Sequence, residues 1–228
     1  MQSPTIISLG GSIVVPDGID IAFISAFRTL IQERMKLGES FIVIVGGGKV
    51  CRRYQASATE LGVTDKDQLD WVGIFATRLN AELVRVAFGD IAHSELVLDP
   101  AVLSKVTAPL VIGAGWKPGH STDFGAILMA ESSGAKRIIN LSNIDYVYDK
   151  DPRKFPDAKK IECATWKEFR DLLPEPSAWV PGLNAPFDPV AAKRGSELSL
   201  EIAIMNGNNL EHLKNYFEGK PFTGTVIR

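Results

Sequence analysis

The chain has 228 residues, 45% of them hydrophobic and 23% charged, with a formal net charge of -2. That length suffices for one α/β unit with a sizeable core, and the near balance of charge leaves no general electrostatic reason to bind nucleic acid or an anionic membrane. Cys51 and Cys163, the two cysteines, cannot build a disulfide framework or a four-ligand zinc site; with no amino-terminal signal pattern and no long apolar run, the expectation is a soluble cytoplasmic protein.

Thr5 to Leu9 reads as a buried strand that runs into Gly10 and Gly11. Phe23, Ile24, Phe27, Leu30, Ile31 and Met35 then recur at helical spacing, with Gly38 placed to end the helix. Phe41 to Val45 predicts a second strand and Lys49 to about Leu61 a second helix. A long helix follows from about Gln68 to Phe88, then apolar runs at Glu95 to Leu98 and Leu110 to Gly113, a helix from about Thr122 to Ser133 and a strand at Arg137 to Leu141. Ile202 to Met205 and Thr225 to Ile227 predict further strands. Such alternation implies an α/β fold, a mostly parallel sheet covered by helices on both faces, in one domain with two lobes. Residues 172–189, rich in proline but carrying Trp179, Leu183 and Phe187, read as an ordered surface loop.

In a parallel sheet, ligands gather at the carboxyl ends of the strands, and four loops there stand out. GGS at Gly10 to Ser12 lets backbone N–H groups approach an anion, though a simple tight turn has the same composition. Gly46, Gly47 and Gly48 precede a helix amino terminus that favours phosphate, and Lys49 and Arg52 add charge within one turn. This is not a Walker loop, because the G-x-x-x-x-G-K-S/T spacing is missing; a glycine-capped strand end with a solvated basic helix face is the other reading. In AGWKPGHSTDFGA, residues 114–126, Pro118 and Gly119 set a turn and Ser121, Thr122 and Asp123 open a helix, as an ordinary N-cap also would. Asp123 favours the anion reading, since an acid beside a phosphate site can organise cations there. The fourth loop, residues 140–161, offers Tyr148 for stacking and Asn143, Asp145 and Asp151 for polar contacts, but by composition alone reads first as a charged surface hairpin.

Together, G-G-S after the first strand, G-G-G-K after the second, G-W-K-P-G-H-S-T-D at Gly115 to Asp123 and N-I-D-Y-V-Y-D-K-D-P at Asn143 to Pro152 resemble the amino acid kinase superfamily. Their forms are most similar to its archaeal-type uridylate kinases. The similarity runs from Ile6 through D-P-V-A-A-K at Asp188 to Lys193 and G-T-V-I at Gly224 to Ile227. The resemblance implies a three-layer αβα sandwich, direct transfer of the terminal phosphoryl of ATP to UMP, magnesium bound with ATP, and a homohexamer. By motif, it implies that Gly10, Gly11, Ser12, Gly47 and Arg52 serve the ATP phosphates, and Ser142, Asn143, Tyr148 and Asp151 its base and ribose. Gly46, Asp70, Trp116, Lys117, Pro118, Gly119, His120, Ser121 and Thr122 then serve UMP, with Asp70 at the ribose and Asp123 organising the centre.

Two positions depart from the wider superfamily. Where much of it has lysine two residues before the first glycine pair, this chain has Ser8, which leaves the transition-state cation to Lys49 first and to Lys117 or Lys193 after it. Tyr146 stands where relatives usually have glycine. Sister kinases acting on another small acidic acceptor, and a non-catalytic nucleotide or oxoanion binder, are the alternative functions.

Overall fold

The computed structural model describes residues 3–178 and 185–228. In chain order the elements are β1 (Thr5–Leu9), α1 (Gly11–Val14), α2 (Ile21–Lys36), β2 (Phe41–Val45), α3 (Gly48–Glu60), α4 (Lys66–Phe88), β3 (Leu110–Gly113), α5 (Thr122–Ser133) and β4 (Arg137–Ser142). Then follow β5 (Val147–Tyr148), β6 (Lys160–Ile161), β7 (Cys163–Ala164), α6 (Trp166–Asp171), α7 (Pro189–Glu197), β8 (Glu201–Asn206), α8 (Leu210–Phe217) and β9 (Thr225–Ile227). One sheet of seven strands has the order β3-β2-β1-β4-β8-β9-β7, and β5 and β6 form a separate antiparallel hairpin. All neighbours in the large sheet are parallel except β8 and β9, so β9 and β7 run against the other five.

The strands are apolar on both faces because both faces are covered. Ile7, Leu9, Val43, Val45, Ile139 and Leu141 point into one core with α2, α4 and α8, whereas Ile6, Ile42, Ile44, Ile138, Ile202 and Ile204 point into a second with α5, α6 and α7. Alternate residues thus serve opposite layers, which is why TIISL and FIVIV show no polar alternation. The three αβα layers expected from the sequence are present, each fully buried isoleucine or leucine contributing on the order of 2 kcal/mol of hydrophobic stabilisation.

Side-chain caps fix the helix starts. Asp20 accepts from Phe23 N at 2.8 Å, and Asp65 from Gln68 N at 2.9 Å, so α4 begins at Lys66, ahead of the position read from periodicity. Thr165 and Glu168 form a capping box on α6, and the Asp188-Pro189 pair supplies the N-cap and first residue of α7. These two short helices and α8 had no long periodic pattern to announce them. Glu95 to Leu98 is not a strand, although His93 N and Val97 N donate to Leu110 O and Ile112 O at 2.8 and 2.9 Å along β3.

The surface-loop reading of residues 172–189 is corrected at its end. Phe187 is only 1% exposed and Asp188 only 3%, and Pro189 already belongs to α7. Trp179 and Leu183 lie outside the described residues.

From β1 the chain moves outward to β2 and β3, then returns to β4 on the other side of β1. The carboxyl ends of β1 and β4 therefore flank a reversal of strand order, where an open α/β sheet leaves a crevice for ligand.

Candidate active site

The two glycine loops meet backbone to backbone at that reversal. Gly46 N donates to Leu9 O and Gly10 N to Leu141 O, both at 2.9 Å, which joins the ends of β2, β1 and β4. A Cβ on Gly11 would fall 2.2 Å from Gly46 O, and Gly48, at φ +59°, has room for none against Gly11. Asn80 of α4, 4% exposed, donates to Gly46 O and Gly47 O at 3.0 and 3.3 Å and so satisfies the carbonyls of the second loop. This arrangement brings the amino end of α3 against the first loop.

The cations beside it are exposed. Lys49 Nζ donates to Asp17 Oδ1 at 2.9 Å, Arg53 approaches the same oxygen at 3.8 Å, and Arg52 lies open to solvent. Lys49 holds the Asp17 carboxyl below its ordinary range.

One stretch of α4 carries the loop after β3. Thr77 Oγ1 accepts from Gly115 N at 2.9 Å, and Arg78 donates through Nε to Gly115 O at 3.1 Å and through Nη2 to Trp116 O at 2.9 Å. Two turns earlier, Asp70 Oδ2 accepts from Gly119 N at 2.8 Å. Within the loop, Lys117 Nζ sits 4.0 Å from the centre of the Trp116 ring, and His120 packs between Trp116 and Phe124. Burial, and secondarily the Lys117 charge, lowers the His120 pKa below its ordinary value, which favours a neutral imidazole.

Asp123, in the first turn of α5, is the point where four elements converge. Its Oδ1 accepts from Ser8 Oγ of β1 at 3.2 Å and Asn140 Nδ2 of β4 at 2.7 Å; its Oδ2 accepts from Asp188 N, at the start of α7, at 3.3 Å. The residue is half-buried with its carboxylate enclosed, and burial, aided by the nearby Asp188 charge, raises its pKa from 3.8 to about 6 against these three hydrogen bonds. Asp188 also accepts from Ser121 Oγ, the residue that caps α5 through Phe124 N.

On the other side of β1, Ser142 ends β4 and accepts from Gly207 N at 2.8 Å. Tyr148 follows in the hairpin, opposite Lys160, and the Asp151 carboxylate accepts from the Arg153 side chain and backbone, at 3.0 Å in each case. Among the described residues, two buried side-chain polar atoms have no hydrogen-bond partner, His120 Nδ1 and Ser142 Oγ. Each sits on one of the loops read as nucleotide-binding, and a buried polar atom left unpaired in a protein interior calls for a ligand or water partner.

The profile of the amino acid kinase family matches residues 3–206. The chain belongs to this family. Among its relatives, the uridylate kinase of Methanospirillum hungatei is 35% identical over 98% of this chain and 94% of its own length. That of Thermococcus kodakarensis is 34% identical over 97% of this chain and 98% of its own length. The crystal structure of uridylate kinase from Archaeoglobus fulgidus superposes with a TM-score of 0.84 at 32% identity, covering 99% of this chain and all of that one. A UMP kinase from Bacillus anthracis, 17% identical with a TM-score of 0.79 over 99% of this chain and 96% of that one, speaks to the fold alone.

Within this amino acid kinase fold, the residues singled out from the sequence fall into two sets. Gly10, Gly11, Ser12, Gly46, Gly47, Thr122, Asp123 and Ser142 come together at the strand reversal, and Asp70 is joined to the loop from Trp116 to Ser121. Tyr148 and Asp151 lie on or beside the hairpin, and Asn143 directly follows the end of β4. Lys49 is engaged by Asp17. Sequence reasoning missed Asn140, Thr77, Arg78, Asn80 and Asp188, and treated Ser8 only as a missing lysine. Ser8 and Asn140 did leave a sign, since each is a lone polar residue within an apolar strand run.

Proposed function

We propose that this chain transfers the terminal phosphoryl group of ATP to the phosphate of UMP, giving ADP and UDP. Full-length similarity to archaeal uridylate kinases carries the reading, and the geometry supports it: the glycine loops meet at the strand reversal with backbone able to approach phosphates closely. In the reaction, an oxygen of the UMP phosphate forms a bond to the γ-phosphorus as the bond from that phosphorus to the β,γ-bridging oxygen breaks. No protein nucleophile is required, and catalysis is positioning plus neutralisation of charge.

In this reading Gly10, Gly11, Ser12, Gly47 and Arg52 surround the ATP phosphates, and Ser142, Asn143 and Tyr148 meet its base and ribose. Asp151 contributes after exchanging its Arg153 partner for ribose hydroxyls. Gly46, Asp70 and the segment Trp116 to Thr122 hold UMP, with Asp123 ordering the centre and Lys49 leaving Asp17 for phosphate. Magnesium enters with ATP. An ion of this kind is carried mainly by phosphate oxygens and water. When bound, it neutralises the transferring phosphates.

We also propose a homohexamer in the cytoplasm. Trp71, Phe75 and Leu79 expose an apolar stripe on α4 suited to an interface, and no described helix is long and apolar enough to cross a membrane. Sedimentation that returns a monomer would overturn the assembly.

The deciding experiment is ADP release from ATP and magnesium with UMP, dUMP, CMP, AMP, acetylglutamate and aspartate offered in turn. A response to UMP well above the others is expected. Turnover with an amino-acid acceptor instead would move the chain to a sister activity, and nucleotide binding without turnover would make it a binder.

A further inference from the structure

Asp188 is 3% exposed and uses both carboxylate oxygens. Oδ1 accepts from Val190 N at 2.7 Å and Ala191 N at 3.2 Å and so caps α7, whereas Oδ2 accepts from Ser121 Oγ. Its backbone N donates to Asp123 Oδ2 at 3.3 Å. Ser121 itself caps α5, accepting from Phe124 N at 3.1 Å. One buried carboxylate therefore links the amino ends of two helices, touches the loop that carries Trp116 to Ser121, and sits beside the acid at the centre of the site.

Capping alone does not require this. Serine or asparagine would cap α7 about as well as aspartate, without a second charge beside the enclosed Asp123. Two like charges at close range are unfavourable, and among the described residues the groups facing the pair supply no salt-bridge cation: Ser8 from β1, Asn140 from β4, and His120 and Ser121 from the loop after β3. Such an arrangement belongs where geometry is needed for chemistry.

We infer that Asp188 is a positioning residue for phosphoryl transfer, locking the acceptor loop through Ser121 and the central acid through its own backbone N–H into one geometry. The inference rests on the kinase reading. Because Asp188 reaches the acceptor loop through the Ser121 hydroxyl, the two residues act as one unit on UMP, with ATP binding left to the other loops.

The test is steady-state kinetics and thermal melting on Ser121→Ala, Asp188→Asn, Asp188→Ala and the Ser121→Ala/Asp188→Asn double variant. Asparagine keeps the capping oxygen, so Asp188→Asn remains folded even if Asp188→Ala does not. Each single substitution is expected to raise KM for UMP and lower kcat, together roughly tenfold or more in kcat/KM, with KM for ATP within about twofold. Asp188→Asn should be milder than Asp188→Ala, and the double variant no worse than the worse of its two singles. Lower melting temperatures with unchanged kinetics would reduce Asp188 to a structural cap and overturn the inference, as would single effects that multiply in the double variant. If the wild-type protein releases no ADP with any nucleoside monophosphate, the kinase reading fails and this inference with it, an outcome distinct from an active wild type with indifferent variants.

Discussion

Ser8 and Asn140 are register partners on adjacent parallel strands, and both donate to the same oxygen, Asp123 Oδ1, at 3.2 and 2.7 Å. Two neutral donors thus serve the central acid at the place where much of the superfamily, by the resemblance, sets a lysine. Hydrogen bonds to the charged form hold a carboxyl pKa down, so removing a donor raises it. With Asn140→Ala, the acid limb of the kcat/KM profile should move above its position near pH 6; with Ser8→Ala, whose bond is longer, it should move less. Profiles that coincide with wild type in both variants would assign that limb to another group.

The Asp123 pKa also links pH to stability. Its folded value, about 6, lies above its ordinary 3.8, so the folded protein holds the proton more tightly than the unfolded chain. The stabilisation from the protonated form is therefore complete below 3.8 and lost as pH rises through about 6. Asp123→Asn, neutral throughout, should melt higher than wild type at neutral pH, lose that advantage in acid, and lose turnover. Melting temperatures of the two proteins that run parallel across this range would contradict the raised pKa.

Gly11→Ala places a methyl group 2.2 Å from Gly46 O, where only movement of backbone can make room. The two glycine loops must part, at a cost on the order of 1–3 kcal/mol, and turnover should fall with nucleotide affinity. Chemical denaturation alongside ATP binding reads both effects. Gly18→Ala, where an added Cβ meets nothing, is the control that should leave binding and stability unchanged.

Arg78 holds two successive carbonyls of the acceptor loop from α4. A lysine ammonium cannot reproduce the planar fork, so Arg78→Lys should behave nearly like Arg78→Ala, with KM for UMP up roughly tenfold and KM for ATP unchanged. Restoration of wild-type KM by lysine would show that charge alone matters there.

Lys49, the first candidate for the phosphoryl-clamping cation, is paired with Asp17 at 2.9 Å. Its replacement by alanine should lower turnover by a factor on the order of 100 or more if it moves to phosphate in the reaction. Near-normal kcat would remove it from that role and turn attention to Lys117 and Lys193. Asp17→Asn, at an exposed pair, should leave the melting temperature close to wild type.

Much was legible in the chain before any coordinates. The apolar runs of β1, β2 and β4 required a sheet covered on both faces, because only double burial removes polar alternation from a strand. Glycines at the ends of β1 and β2 marked where backbone comes close to something else, and Asp123 stood at a helix start. Short helices such as α6 and α7 left only capping signatures, which local pattern reads poorly.

The layers, the strand ends that bear the loops and the acid at the centre follow from local pattern, because periodicity and glycine placement are properties of short stretches. What surrounds that acid follows from the fold. Ser8, Asn140 and Asp188 meet Asp123 across separations of 115, 17 and 65 residues. Arg78 and Asp70 reach their loop over 38 and 49 residues. Such contacts depend on strand order and register, which no stretch of the chain specifies alone.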